Sequence, residues 1–155
     1  MTQLPTQVRF SADSTRYRNA YAQVEPQRST HMGKFVLVID HSLTVQKVIE
    51  MMLLREGYRI RSFGNGIEAM RWFAEPEASI PDLMLVEFEL PKMDGCEVIQ
   101  KFKAQTRFAS TACILLSRRE QVPEPFKNSG AVLHKPFTAQ QLVGTVHHSL
   151  ARIHA

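Results

Sequence analysis

DLMLVEFELPKMDG, from Asp82 to Gly95, sets a short apolar run directly ahead of an acidic residue, Glu87, and then closes in Leu90, Pro91 and a Met-Asp-Gly turn. An apolar run bounded by turn formers reads as a buried strand, here Leu83 to Val86. That strand delivers the Glu87 carboxylate to its C-terminal tip. In an open parallel sheet the reactive groups gather at that end, so the stretch speaks to fold and chemistry together.

Working outward, Lys34 opens an alternation of short apolar runs and amphipathic stretches, the mark of βα units on a parallel sheet. Phe35 to Ile39 is uninterruptedly apolar, as a strand covered on both faces requires. Val45, Val48, Ile49, Met52 and Leu53 recur at helical spacing and predict a helix over 43–56, stopped near Gly57. Tyr58 to Phe63 reads as a second strand and Gly66 to Ala74 as a second helix. After Asp94-Gly95 a third helix turns Val98, Ile99 and Phe102 inward. Ala112 to Leu116 is the fourth strand and Ala131 to His134 the fifth. A last helix from about Thr138 carries Leu142, Val146, Leu150 and Ile153 as its inner stripe. Between strands four and five, Pro123 and Pro125 permit at most a short helix.

The rest of the chain is less ordered in pattern. Residues 1–33 are rich in Gln, Ser, Thr and Arg and follow neither period, so they read as a flexible tail or linker ahead of a domain over 34–155. Ser29 to Gly33 reads equally as native sequence or as a junction left by expression. At 155 residues, with 44% hydrophobic content, the chain holds one domain with a proper core. No run reaches the roughly 18 apolar residues of a membrane span, and no signal pattern opens the chain, so a cytoplasmic protein without a membrane partner is expected. The net charge of +4 is scattered, and Arg118-Arg119 is followed at once by Glu120. Solvated surface is therefore the reading, and nucleic acid is not an expected partner. Cys96 and Cys113 lack CxxC spacing and are expected to be buried thiols. His147 and His148 diverge on a helix, and His31 and His154 lie near polar termini, so a shared histidine metal site is not expected. Trp72 is expected to be half-buried packing on the second helix, and the methionines, Met51-Met52 among them, are expected to fill the core.

The strand tips then decide the chemistry. Strand one ends in Asp40-His41-Ser42, strand three in Glu87, strand four in Ser117 and strand five in Lys135-Pro136-Phe137. Two acids, a hydroxyl and a lysine converge on one pocket. These stretches resemble the receiver domain of two-component response regulators over about Lys34 to Ile153. VLVIDHSLTVQKVI (Val36 to Ile49), PDLMLVEFELPKMDG (Pro81 to Gly95), CILLS (Cys113 to Ser117) and HKPF (His134 to Phe137) carry the likeness. Its most specific parts are the spacing from Glu87 to Asp94-Gly95 and the Lys-Pro-Phe ending.

The resemblance implies an α/β flavodoxin-like (βα)5 fold, a doubly wound parallel sheet of strand order 2-1-3-4-5. In that family an aspartate at the tip of strand three takes a phosphoryl group. Two acids after strand one help hold Mg²⁺, a lysine and a Ser/Thr hold the phosphate, and an aromatic residue on strand five reports the event. Asp40, Ser117 and Lys135 match, and Glu89 supplies a backbone carbonyl at this site. Glu87, however, stands at the acceptor position and His41 in place of the second acid. Glutamate is about 1.5 Å longer, and a displacement of roughly 1 Å costs in-line chemistry dearly. Imidazole is a donor that Mg²⁺ disfavours, so Asp40 and Glu87 would hold the ion weakly or not at all. Glu87 is expected to pair with Lys135, with Ser117 bonding to either. The resemblance also implies a cis Lys135-Pro136 bond, and it places Val132, which has no ring, at the switch position.

The expected function is thus that of a pseudo-receiver in phosphorelay signalling. It would be non-enzymatic, without a cofactor, and would act by contact with a histidine kinase, an output protein or a second copy of itself. The expected contact face is made by the helix between strands four and five, strand five and the last helix. That helix is expected to be stunted, because the chain from Ser117 to Lys135 is about four residues shorter than is usual in the family. The sequence stops soon after the last helix, so no DNA-binding module is expected to follow. A still phosphorylatable receiver is the alternative. A small flavodoxin-like enzyme or cofactor binder finds no support in a glycine-rich cradle or a nucleophile-base pair.

Overall fold

A computed structural model describes residues 31–124, 126 and 131–153 of the chain. The 1–30 segment, and with it nearly all of the expected tail, lies outside the described residues. The described unit begins three residues ahead of the expected boundary, at His31. The Gly33 amide donates to the Gly57 carbonyl at 2.9 Å, tying this entry turn to the first helix's end.

Five strands form one parallel sheet in the order β2-β1-β3-β4-β5. They are β1 (Phe35–Ile39), β2 (Arg59–Phe63), β3 (Leu83–Glu87), β4 (Ala112–Ser117) and β5 (Ala131–His134). Among the described residues the helices with complete bounds are α1 (Leu43–Arg55), α2 (Gly66–Ala74), α3 (Gly95–Lys103) and α4 (Ala139–Ile153), with a 3₁₀ turn at Thr106–Phe108. Each helix start is marked by a side chain that satisfies an otherwise orphaned amide. Ser42 accepts from Val45, Asn65 from Glu68 and Asp94 from Glu97. Thr138 and Gln141 cap reciprocally, each side chain accepting from the other's amide.

Both β1 and β3 are buried along their whole length, which explains their unbroken apolar runs. Alternate side chains feed two cores. Leu37, Ile39, Met84 and Val86 pack with Phe73, Phe102 and Phe108 under α2 and α3. Val36, Val38, Leu83 and Leu85 pack with Ile49, Leu53, Leu142 and Val146 under α1 and α4. The edge strand β2 exposes Arg59 and Arg61, charges that blunt edge pairing, while their guanidinium groups cover Phe35 and Trp72.

Several side chains depart from expectation. On α1, Val48 and Met51 are exposed, 39% and 58%, together with Leu43 and Leu54, because the sheet covers only the Gln46, Ile49 and Leu53 side of the helix. Ile153 is 38% exposed. It lines a cleft at the strand starts with Ala112, Cys113 and Ala131, and the buried polar position of α4 is Ser149 instead. Cys96 and Cys113 are half-buried rather than fully buried, since neither side chain projects into the middle of a core. Burial still pushes both thiols up, Cys113 to about 11, so neither is a thiolate near neutrality. Trp72 does not depart: it is half-buried against Phe35 and Phe63, as expected. Between β4 and β5, Glu124 and Phe126 are helical, and the expected shortening of that helix falls mainly on residues outside the described set.

Candidate functional site

Strand register assembles the site. Ile39 pairs with Val86, so Asp40 and Glu87 are side by side, one residue past the pair, at the point where the strand order reverses. Glu87 is in register with Leu116, and Ser117 with His134, which brings Lys135 to the same rim. The Lys135 amide donates to the Ser117 carbonyl at 2.8 Å, and the Lys135–Pro136 peptide is cis. Asp40, Glu87 and Lys135 are therefore brought together by sheet geometry before any side-chain attraction acts.

Lys135 lies between the two acids. Its Nζ is 2.5 Å from Asp40 Oδ2 and 3.1 Å from Glu87 Oε1, and all three side chains are at least nine-tenths buried. Glu87 Oε2 accepts from the His41 backbone amide at 3.1 Å and lies 2.5 Å from His41 Nδ1. Asp40 Oδ1 accepts from the Ser42 amide at 2.8 Å. Every oxygen of the two carboxylates thus faces a donor from the protein.

These contacts separate the two acids. Burial is the largest influence on both and pushes each up. For Asp40 it prevails over Lys135 and the Ser42 amide, and the carboxyl titrates above its ordinary value. For Glu87 the His41 amide and imidazole, with Lys135, outweigh burial and hold the carboxyl below its ordinary value.

Ser117 does not join the cluster. Its hydroxyl accepts from the Arg119 amide at 3.0 Å and donates to the Arg119 carbonyl at 3.4 Å, so it bonds to neither Glu87 nor Lys135. A serine at a strand end prefers such a local backbone turn, and here the turn wins. Glu89, at the expected carbonyl position, sends its side chain outward to Arg119, 2.5 Å away, whose guanidinium also covers Phe88. Val132 is half-buried and packs against the α2 and α3 core.

Two contributors were not anticipated from sequence. Gln46 is buried and donates to the carbonyls of Asp40 and Phe63, at 2.6 and 3.4 Å, fixing the loop that holds Asp40. Its signal was available, since Gln46 lies three and seven residues before Ile49 and Leu53 on their own stripe. The Arg119 to Glu89 bridge had no such signal, because it joins two loops 30 residues apart.

A divalent ion is implied by the likeness to receivers, and the residues present do not fit magnesium. Magnesium demands six oxygens near ideal octahedral geometry. Here an imidazole nitrogen occupies one ligand direction, and a buried ammonium bonds to both carboxylates where a hard cation would be held.

Comparison with known proteins agrees with this architecture. The sequence profile described as the response regulator receiver domain matches residues 36–147. Protein PilG of Pseudomonas aeruginosa is 28% identical over 118 residues, covering 74% of this chain and 85% of PilG. A DNA-binding transcriptional regulator of Synechocystis, RpaA, is 26% identical over 121 residues, and the match spans 49% of its length. Among solved structures, the receiver domain of a Pseudomonas aeruginosa sensor histidine kinase, crystallised with magnesium in its active-site cleft, superposes with a TM-score of 0.67. It is 25% identical, over 77% of this chain and 98% of that one. The profile covers well over half of the sequence and lies on the strands that build the acidic cleft, and on that ground the chain belongs to the response regulator receiver domain family.

Proposed function

We infer that this receiver domain works in two-component signalling through protein contact, with a fixed charge arrangement in place of a phosphorylated aspartate. The observation that carries the reading is the Glu87 to Lys135 ion pair at 3.1 Å. In a phosphorylatable receiver this lysine must be available to an incoming phosphate. Here it is buried and held by two carboxylates that are already ionic partners.

The loss of the hydroxyl supports the same reading. With Ser117 turned to Arg119, the second phosphate-holding group is committed to its own loop. The magnesium misfit removes the charge that would otherwise draw a phosphoryl donor in. A permanent negative centre at Glu87, neutralised by Lys135, then sets one conformation. The expected partner is a histidine kinase or an output protein, and a homodimer is the other contact of the same kind. Val132 offers no aromatic ring to rotate, so no ring-coupled switch operates on the face of β5 and α4. Exposed Leu43, Met51 and Leu54 on α1 provide further apolar surface for contact.

The test is incubation with magnesium and a small phosphodonor, followed by intact-mass measurement. The expected result is an unchanged mass. A stoichiometric gain of one phosphoryl group, mapped to Glu87 or a neighbouring acid, overturns the reading in favour of a still phosphorylatable receiver.

A further inference from the structure

We propose that the cleft at the strand starts binds a small phosphoryl dianion, free or as an ester, held by Lys103, Ser149 and Arg152. The inference goes beyond the signalling role, because this cleft is at the opposite end of the parallel sheet from Asp40, Glu87 and Lys135. β4 and β5 begin there with Ala112 and Ala131, the last turn of α3 brings Lys103, and α4 brings Ser149 and Arg152. The cleft has a volume of about 330 Å³, within the roughly 300–1,000 Å³ of small-ligand sites.

Two independent observations point to an anion. Lys103 and Arg152 come from different helices and line the same cleft, and among the described residues neither is in an ion pair and no carboxylate shares the lining. Ser149, on the same wall, is only 8% exposed, and its hydroxyl has no hydrogen-bond partner among the described residues. A buried polar atom left unpaired is uncommon and costly, and a partner from outside the chain resolves it. Burial pushes the Cys113 thiol in this cleft up to about 11, and the Lys103 charge opposes that rise, so the ammonium is felt inside the cleft. Both cations also complement the dipoles of their helix ends. That role needs no shared cleft and leaves the unpaired hydroxyl unexplained. Charge then selects the ligand. A phosphate monoester carries about −1.5 to −2 at neutral pH, which two cations match, whereas a carboxylate leaves one of them unpaired. The Arg152 guanidinium offers a planar fork to two phosphate oxygens and Lys103 a point charge. Ala131 and Ile153 leave an apolar side for the carbon of an ester. No aromatic ring among the described residues lines the cleft, so a stacked base has no platform there.

The full chain, without added magnesium, is titrated with sodium phosphate, glycerol phosphate and sodium acetate at constant ionic strength, by calorimetry and by amide chemical shifts. The expected result is one equivalent of phosphate or its ester bound in the millimolar range or tighter, with acetate at least about tenfold weaker. The amides of Ala112 and Ala131 should shift, and those of His41 and Glu87 should not. Tighter binding of the ester assigns the cleft to a phosphorylated small molecule, and tighter binding of the free ion assigns it to inorganic phosphate. Lys103→Gln and Arg152→Gln should each cost about tenfold or more in affinity, since each removes a charge-assisted contact. Lys101→Gln, in the same last turn of α3 but paired with Glu97, should change nothing. Ser149→Ala should separate binding from stability: phosphate affinity falls, while the urea midpoint holds or rises because the unpaired hydroxyl is gone. The inference is overturned by no saturable phosphate binding, by acetate binding as tightly as phosphate, by shifts confined to the acidic cleft, or by Lys103→Gln and Arg152→Gln binding phosphate as the parent does.

Discussion

His41 Nδ1 lies 2.5 Å from Glu87 Oε2, and the His41 backbone amide donates to the same oxygen at 3.1 Å. The two residues that depart from the family's pattern within the acidic cleft are therefore each other's partners. An aspartate at 87 would stop about 1.5 Å short of this contact, and an aspartate at 41 would set a third carboxylate against Glu87. Each substitution makes the other tolerable, and together they turn an acid-rich pocket into a neutralised one. The lock proposed above needs both changes rather than either alone.

Their coupling is measurable. His41→Ala and Glu87→Gln should be non-additive in urea denaturation, with a coupling of about 0.5–1 kcal/mol, at the low end for touching residues because solvent screens His41. Strict additivity would mean that the imidazole contributes nothing to holding Glu87.

Reversing both departures should reopen the chemistry. The double variant His41→Asp/Glu87→Asp should gain one phosphoryl group by intact mass when given magnesium and a small phosphodonor. Glu87→Asp alone should gain little, since the imidazole still excludes the ion. A double variant that stays unmodified would show that the Ser117 turn or the Arg119 bridge is the real obstacle.

The fold was legible because its signals are local. The unbroken apolar runs of β1 and β3, the capping residues Asn65 and Asp94 and the Lys-Pro-Phe ending each state their own structure. Bringing Asp40, Glu87 and Lys135 together followed from strand tips alone. What stayed hidden depended on choices between partners. Ser117 could bond inward or to its own loop, and nothing in its neighbours' identities says that the Arg119 amide wins. Lys135 could favour either acid, and its shorter contact is to Asp40, a choice between side chains that a periodicity does not encode. Ile153 kept the helical spacing of the inner stripe, yet the last turn of α4 ends over a cleft, so spacing there overstates burial.

Acid titration should separate the two carboxylates. Glu87 titrates below its ordinary 4.5 in the folded chain, so its stabilising share is present above that value and is lost as pH falls through the folded pKa. Asp40 titrates above its ordinary 3.8, so its share is full below that value and is lost as pH rises through the folded pKa. Glu87→Gln should therefore be less stable than the parent at neutral pH, with the gap closing as pH drops below about 4.5. Asp40→Asn should improve relative to the parent as pH rises past about 4. Chemical denaturation across this range checks both signs, and parallel curves for the two variants would contradict the assignment.

Gly95 ties α3 to the acidic tip more tightly than its ordinary helical position would indicate. A Cβ there would lie 2.2 Å from the Glu87 carbonyl oxygen and 3.1 Å from the Phe88 Cα, atoms of backbone that cannot swing aside. At Gly66 an added Cβ meets a Val98 methyl at 2.6 Å, a side-chain contact that a small helix shift can relax. Alanine ordinarily favours a helix over glycine by about 0.5–1 kcal/mol, so both substitutions begin with a gain. At Gly66 that gain should offset part of the overpacking and leave a small loss. At Gly95 the clash should dominate and lower stability by about 1–3 kcal/mol or more, read as a fall in the urea midpoint at unchanged slope. Because the strain falls on the backbone of Glu87 itself, Gly95→Ala should also weaken the coupling between His41 and Glu87, which Gly66→Ala should leave intact.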